Sequence, residues 1–428
     1  MSAAAQRKMK PSGVDWIGDV PEGWGVTRFG YHAAVKANLV DVDDYGNFPQ
    51  ISPENIEKNT GRLLAHGTVE DSGVISGNHL FKKGQILYSK IRPALNKVTI
   101  APYPGLCCAD MYPIETDEDT RFMVYLMLAD CFVKQTETVA NMRIKMPKIN
   151  QDELARVRIA VPSLDEQKRI AAKLDRLCGR VDELAENIKG EIAALQEYRK
   201  SLITECVTKG LNPKAKMKHS GVDWIGKVPT EWNVEKVKYH YSVITGNGFP
   251  VELQGVEDGD YPVCKASDIS AKGKFVESTK NWITKDIAEL LGFNVIPRRS
   301  IIFPKIGEAM KKNSRKIVAV DCCVDNNCQG VFSPNMDEGY SYYVFMCIDM
   351  KLFDNHGPIP CLNNQKLKDY LMPIPPANEQ REIAAFLDKR CAVIDAKIAE
   401  RQRQLEKLGE YRSSVIYEYV TGKKGVAA

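Results

Sequence analysis

Apolar residues in the stretch 170–202 fall at Ile170, Leu174, Leu177, Val181, Leu184, Ile188, Ile192, Leu195, Tyr198 and Leu202, three or four apart with charges between them. That spacing predicts one long amphipathic helix with a coiled-coil-like seam. A second stripe runs Ile383, Leu387, Cys391, Ile394, Ile398, Leu405, Leu408, Tyr411, Val415 and Tyr419, interrupted at Arg401-Gln402, where looser packing is expected. Ser163 with Glu166 three residues on fits a capping box, whereas the second helix has only Pro375-Pro376 and Asn378 as start signals. Helices of about 45 residues span about 67 Å at 1.5 Å per residue. A solitary helix of that length would leave its stripe in water, so a pair is expected, and an antiparallel one because each helix must leave and re-enter the chain next to its own variable domain. A plain scaffold with no ligand-binding face is compatible with the same pattern.

Elsewhere the pattern changes to short β-rich runs broken by Gly, Pro, Asn and Asp, such as residues 82–92 and 298–307. Phe122–Leu128 is apolar enough for a core helix. The economical fold class is α+β, with two mixed domains and two long helices.

The chain repeats itself. Met9–His32 aligns without gaps on Met217–His240 with 15 of 24 positions identical, and Pro162–Arg176 on Pro375–Lys389 with 8 of 15. Further on, Cys178 falls on Cys391, Asp182 on Asp395, and Tyr198-Arg199 on Tyr411-Arg412. The expected division is 1–162 and 211–375 for the two domains, and 163–210 and 376–424 for the helices. Gly210-Leu-Asn-Pro213 and Gly422-Lys-Lys-Gly425 supply the turn chemistry at the breaks.

A net charge of +4 over 428 residues is too weak to announce nucleic acid, but the charge is clustered. Lys82, Lys83, Lys90, Arg92 and Lys97 lie in Leu80–Ile100 without an acid; Arg298, Arg299, Lys305, Lys311, Lys312, Arg315 and Lys316 lie in Pro297–Ile317 against Glu308 alone. Lys90 falls on Lys305, and Cys107-Cys108 on Cys322-Cys323. A further cluster, with Arg143 and Lys145, precedes the first helix. Such edges neutralise phosphates and can read bases. A solvated surface would carry the same charges, yet their duplication at matching positions favours DNA.

Other chemistry finds little footing. No G-x-x-x-x-G-K-[ST] loop occurs, and Gly246-Asn-Gly248 lacks the third glycine of a dinucleotide fingerprint. Six histidines are scattered, and the twelve cysteines include no C-x-x-C pair, so reduced, mostly buried thiols are expected and no metal site. Carboxylates and lysine around Asp258, Asp260 and Lys265 match a nuclease spacing only by accident. Asp15-Trp16-Ile17-Gly18 and Asp223-Trp224-Ile225-Gly226 are expected to form packed turns. No apolar run approaches the ~18 residues of a membrane span, and the first ten residues have no apolar stretch behind their charges, so a cytoplasmic protein is expected.

The order SGVDWIG, VP, W, a variable domain, P-x-x-x-EQ-x-x-I and a long helix, then the same again, resembles the specificity subunit of type I restriction-modification systems. Arg92-Pro93-x-Leu95-x-Lys97 is similar to a sequence found in target recognition domains of that group; the second domain has Ile306-Gly307-Glu308 instead. The resemblance implies a non-catalytic subunit whose two target recognition domains bind the halves of a split, asymmetric site in double-stranded DNA, while the helices set the gap. It implies two methyltransferase subunits and two restriction subunits as partners. S-adenosylmethionine, ATP and Mg²⁺ would belong to those partners, with no cofactor on this chain. Where the copies agree, at Trp16/Trp224, Ile17/Ile225, Glu166/Glu379 and Gln167/Gln380, it implies helix packing and partner contact. Two other readings stand beside it: a structural adaptor whose basic edges bind an acidic protein, and a nuclease or methyltransferase in its own right.

Overall fold

The computed structural model describes residues 7–143, 146–276 and 279–426. The chain divides into two compact units. One joins Met1–Gly190 to Arg401–Ala428, and the other is Glu191–Glu400. The two predicted helices are Leu164–Lys209 and Ala377–Val420, and each begins in one unit and ends in the other.

In the first unit an antiparallel sheet runs Ala33–Val35, Met111–Thr116, Ile86–Ser89, Val98–Ile100. A second sheet runs Leu39–Val40, Asn78–Phe81, Gly105–Cys107, Gln50–Ile51, its last pair parallel. The second unit repeats the first order as Ser242–Thr245, Cys328–Phe332, Ile301–Pro304, Lys316–Ile317. Its second sheet is shorter: Trp282–Ile283, Tyr261–Cys264, Cys323–Val324, again with a parallel pair at the cysteines. The apolar stretch at Phe122 is the helix Thr120–Leu128, started by the Asp119 side chain; its counterpart Glu338–Cys347 is started by Asp337.

Both cores use both long helices. Phe29, Phe122 and Phe132 pack with Ile170, Leu174 and Cys178 of the first helix and Val415, Ile416 and Tyr419 of the second. In the other unit Trp232, Tyr340 and Phe345 pack with Ile203, Cys206 and Val207 and with Ile383, Leu387 and Cys391. Within each unit the start of one helix therefore lies beside the end of the other, which is the antiparallel arrangement. The stripe is not uniformly buried: Leu184, Tyr198 and Tyr411 are exposed, and Ile188, Ile192 and Leu195 half-buried. The apolar seam does its work at the helix ends, where it completes a domain core.

The most specific repeat residues hold these junctions. Trp24 Nε1 donates to Glu166 Oε2 at 3.1 Å, and Trp232 Nε1 to Glu379 Oε2 at 3.1 Å. Glu166 also pairs with Arg7 at 2.6 Å, so its carboxylate serves Trp24 and Arg7. The Gln167 carbonyl accepts the Asp119 backbone N–H at 3.0 Å while its amide donates to Pro162 O at 3.0 Å. Gln380 does the same with Asp337 N–H (2.9 Å) and Pro375 O (2.8 Å). Each Glu-Gln pair thus ties the start of a long helix to a tryptophan and to the N-cap of the core helix.

Candidate nucleic-acid interface

Superposing the hydrogen-bond registers matches Ile86 with Ile301 and Ile100 with Ile317, since each pair faces its partner in the same ladder. Lys90 then corresponds to Lys305: the Lys90 N–H donates to Asp110 O at 3.0 Å and the Lys305 N–H to Asn327 O at 2.7 Å. Both lysines leave the same end of the same strand, and neither side chain meets a carboxylate among the described residues. The Lys90 ammonium sits 5.3 Å from the Tyr112 ring centroid. Nearby His79 is buried in its strand, and burial followed by the Lys90 charge pushes its pKa down.

Lys82 and Lys83 occupy the turn at the opposite end of that strand, and Arg298 and Arg299 the matching turn of the second unit. The turns are alike: Gly84 N–H donates to Ala101 O and Arg299 N–H to Val318 O, both at 2.8 Å. Gly84 and Arg299 share a left-handed backbone, with φ of 88° and 72°. At the Lys90 end the exchange is reversed, Arg92 (φ 46°) standing where the second unit has Gly307 (φ 69°). A non-glycine residue in this region costs about 1–2 kcal/mol. The Arg92 side chain is exposed, and no partner offsets that cost within the described residues.

The structure therefore divides the sequence clusters. Lys90 and Arg92 come together with the loop of Arg143 and Lys148, because Ile91 bridges Lys148 and the Arg92 N–H donates to Pro147 O at 2.7 Å. Lys305, Lys311 and Lys312 form the equivalent end of the second unit. Lys82, Lys83, Arg298 and Arg299 lie at the far end of the strand. Arg299 is there paired with Glu338 at 2.8 Å.

Several residues expected to contact DNA have partners within the chain. Arg315 is buried, donating to Ser314 O, Asn313 Oδ1 and Ile348 O, with its guanidinium 5.1 Å from the Phe303 centroid. Burial pushes its pKa down to about 9, against the opposing charge of Asp349. Lys316 is buried too, donating to Lys272 O and Phe275 O. Lys97 donates to Pro53 O at 2.5 Å. Arg143 closes its own loop, reaching Lys148 O at 2.6 Å and Glu153 at 2.7 Å, and Lys311 pairs with Glu308 at 2.6 Å. Burial corrects the expectation for Arg315 and Lys316, and one cause runs through all five: a long basic stem near main-chain carbonyls or a carboxylate folds back on them. Lys145 lies outside the described residues.

The residues expected to give helix packing and partner contact lie largely at the packed junctions. Ile17, Ile225, Gln167 and Gln380 are buried, and Glu166 and Glu379 accept from tryptophans, which is the packing half of that expectation. Trp16 is 46% exposed under the Lys134 ammonium, whereas Trp224 stacks on Tyr370 and donates to Leu371 O. The tryptophan–glutamate bond was missed in the sequence, although both partners stand in repeated motifs. Among the described residues no group of three His, Cys, Asp or Glu is placed to hold a metal, and no helix is long and apolar enough to cross a membrane.

Residues 32–194 and 231–407 match the family model of the type I restriction modification DNA specificity domain. The chain is 36% identical over 186 residues to the type I restriction enzyme EcoDI specificity subunit of Escherichia coli, an alignment covering 44% of this chain and 42% of that protein. It is 23% identical over 429 positions, 94% of this chain and 93% of the relative, to the MjaVIII specificity subunit of Methanocaldococcus jannaschii. A solved chain from work on complex assembly and conformational transition of the type I R-M system shares the fold, with a TM-score of 0.67 at 16% identity, covering 95% of this chain and 99% of that one. Two matched specificity domains, covering most of the chain and built on antiparallel sheets of the same order, place this chain in the type I restriction-modification specificity-subunit family.

Proposed function

We propose that the chain is the non-catalytic DNA-recognition subunit of a type I restriction-modification complex, its two recognition domains (1–162 and 211–375) each binding one half of a bipartite, asymmetric site. The observation that carries this is the pairing of Lys90 with Lys305. Two domains that have diverged over most of their length keep a lysine, without a carboxylate partner, at the same strand end. Unlike surroundings at equivalent ends, Arg92 in one and Gly307 in the other, suit two different half-sites. The helices 163–210 and 376–424 set the gap between half-sites. Two methyltransferase subunits and two restriction subunits dock on the chain in the cytoplasm, bringing S-adenosylmethionine, ATP and Mg²⁺ with them.

The test is to co-express the chain with the methyltransferase subunit of its own operon and read methylated adenines across the host genome by single-molecule sequencing. A split motif with a fixed gap is expected. An intact complex that adds no methylation would return the chain to the adaptor reading. Binding to DNA should also fall steeply with salt, as several phosphate contacts require, and Lys90→Ala should weaken binding to all sequences alike.

A further inference from the structure

Met146 and Ile359 stand at the same place in the two units. Each precedes a proline whose carbonyl accepts a main-chain N–H from beyond the basic strand end: Pro147 O from Arg92 and Pro360 O from Gly307, both at 2.7 Å. One residue on, Lys148 bridges Ile91 and Cys361 bridges Ile306. The next N–H, of Ile149 or Leu362, donates to Lys90 O or Lys305 O, both at 2.9 Å. These matched main-chain bonds, with φ fixed at the proline, pin the backbone that follows each apolar residue to the lysine-bearing strand end.

Both side chains face solvent, Met146 at 56% and Ile359 at 66% exposure. The residues around them, Arg143 to Lys148 and His356 to Cys361, have nothing in common but the proline and the apolar residue before it. Core packing does not account for an exposed position. Single exposed apolar residues are ordinary, but the same one at the same pinned site in two diverged domains is not. Lys90, Arg92 and Lys148 in one unit and Lys305 and Lys312 in the other carry positive charge at these ends, while the nearby carboxylates are engaged, Glu153 with Arg143, Glu308 with Lys311, and Asp354 with the Cys361 N–H. Met142 is exposed in the same stretch of the first unit, but the position matched in both units is that of Met146 and Ile359, and the net positive surround favours an anionic partner. A duplex, anionic outside and apolar between its base pairs, fits both features.

We propose that Met146 and Ile359 are matched apolar wedges, each pressing between base pairs of one half-site and partly unstacking a base step, an inference that rests on the DNA reading above. The free energy spent on unstacking is offset by the closer approach it permits.

The test uses the full chain in complex with its methyltransferase subunit and duplexes of the methylated motif carrying 2-aminopurine at successive positions. The wild-type complex should raise fluorescence at one step in each half-site. Met146→Ser should abolish the rise in one half only and Ile359→Ser in the other, each raising the Kd about tenfold, the size of one mismatched pair. The salt slope should stay unchanged, because no phosphate contact is lost. Met146→Leu and Ile359→Val should behave as wild type. Serine variants that keep affinity and fluorescence within twofold overturn the wedge, as does loss of the methyltransferase subunit with DNA binding intact, which would assign both residues to a protein contact. A wild-type complex that binds no specific DNA refutes the DNA reading itself, and the wedge with it.

Discussion

Arg412 donates to Asp182 at 3.2 Å, joining the end of the second long helix to the first, and also reaches Asn59 O at 2.7 Å and Thr60 O at 2.8 Å. Its repeat counterpart Arg199 lies 2.9 Å from Asp395, so each helix supplies the arginine for the other's aspartate. The two pairs are unequal, because Arg412 is buried and Arg199 only half-buried. Arg412→Ala strands two carbonyls and a carboxylate and should cost about 3 kcal/mol. Arg199→Ala should cost under about 1 kcal/mol. Urea unfolding of the two variants side by side checks this; equal losses would mean that the carbonyl bonds of Arg412 add nothing.

The tryptophan–glutamate bonds have the same length in both units and should contribute alike. Trp24→Phe and Trp232→Phe keep most of the buried ring area and remove one hydrogen bond to a carboxylate. A loss of about 1.5–3 kcal/mol in each is expected. Thermal unfolding followed by circular dichroism reads it, and a loss below about 0.5 kcal/mol would show that ring packing alone holds these junctions.

Arg92 occupies a left-handed backbone that the second unit gives to Gly307. Arg92→Ala and Arg92→Gly both delete the guanidinium and should weaken DNA binding equally. The glycine variant should nevertheless be more stable than the alanine one by about 1 kcal/mol, since glycine alone escapes the steric cost there. Equal stability of the two would mean that residue 92 relaxes out of the left-handed region.

Asp369 anchors the pairing of Asn233–Lys236 with Leu371–Ile374, accepting from Lys238 at 2.8 Å and Lys236 at 3.1 Å. Lys238, then Gln365 and Lys236, hold its carboxyl well below the ordinary 3.8. A depressed folded-state pKa stabilises above the unfolded value and is lost as pH falls through the folded one. Melting temperatures of wild type and Asp369→Asn should therefore differ at pH 6 and converge below pH 3. The difference at pH 6 should shrink in 1 M salt, because the group is exposed. A pH-independent difference would assign the effect to hydrogen bonding alone.

Under the proposed function, removing one heptad from each long helix shortens it by about 10.5 Å, close to three base pairs. The methylated motif should then carry a shorter gap or disappear. An unchanged gap in a folded, methylating complex would show that the helices are not the spacer.

Much of the fold was legible in the sequence because its signals are local or duplicated. A stripe at intervals of three and four marks a helix wherever it packs, and an internal repeat of 15 identities in 24 fixes the two-unit plan without coordinates. The candidate site was legible only in outline. Residues 82–92 read as one basic cluster, yet four residues of strand carry Lys83 and Lys90 to opposite ends of a sheet, about 3.3 Å per residue apart. Linear clustering of charge says nothing of which end a side chain leaves from.

The sequence by itself determined the two copies, the two helices and the equivalence of Lys90 with Lys305, since composition, period and identity are properties of the chain. Only the tertiary structure decided that Arg315 and Lys316 turn inward, that Glu166 and Glu379 meet tryptophans, and that Met146 and Ile359 stand at matched, exposed tips. A lysine or glutamate has several acceptors or donors within reach of its long stem. Which one it finds depends on residues distant in the chain that the fold alone brings near.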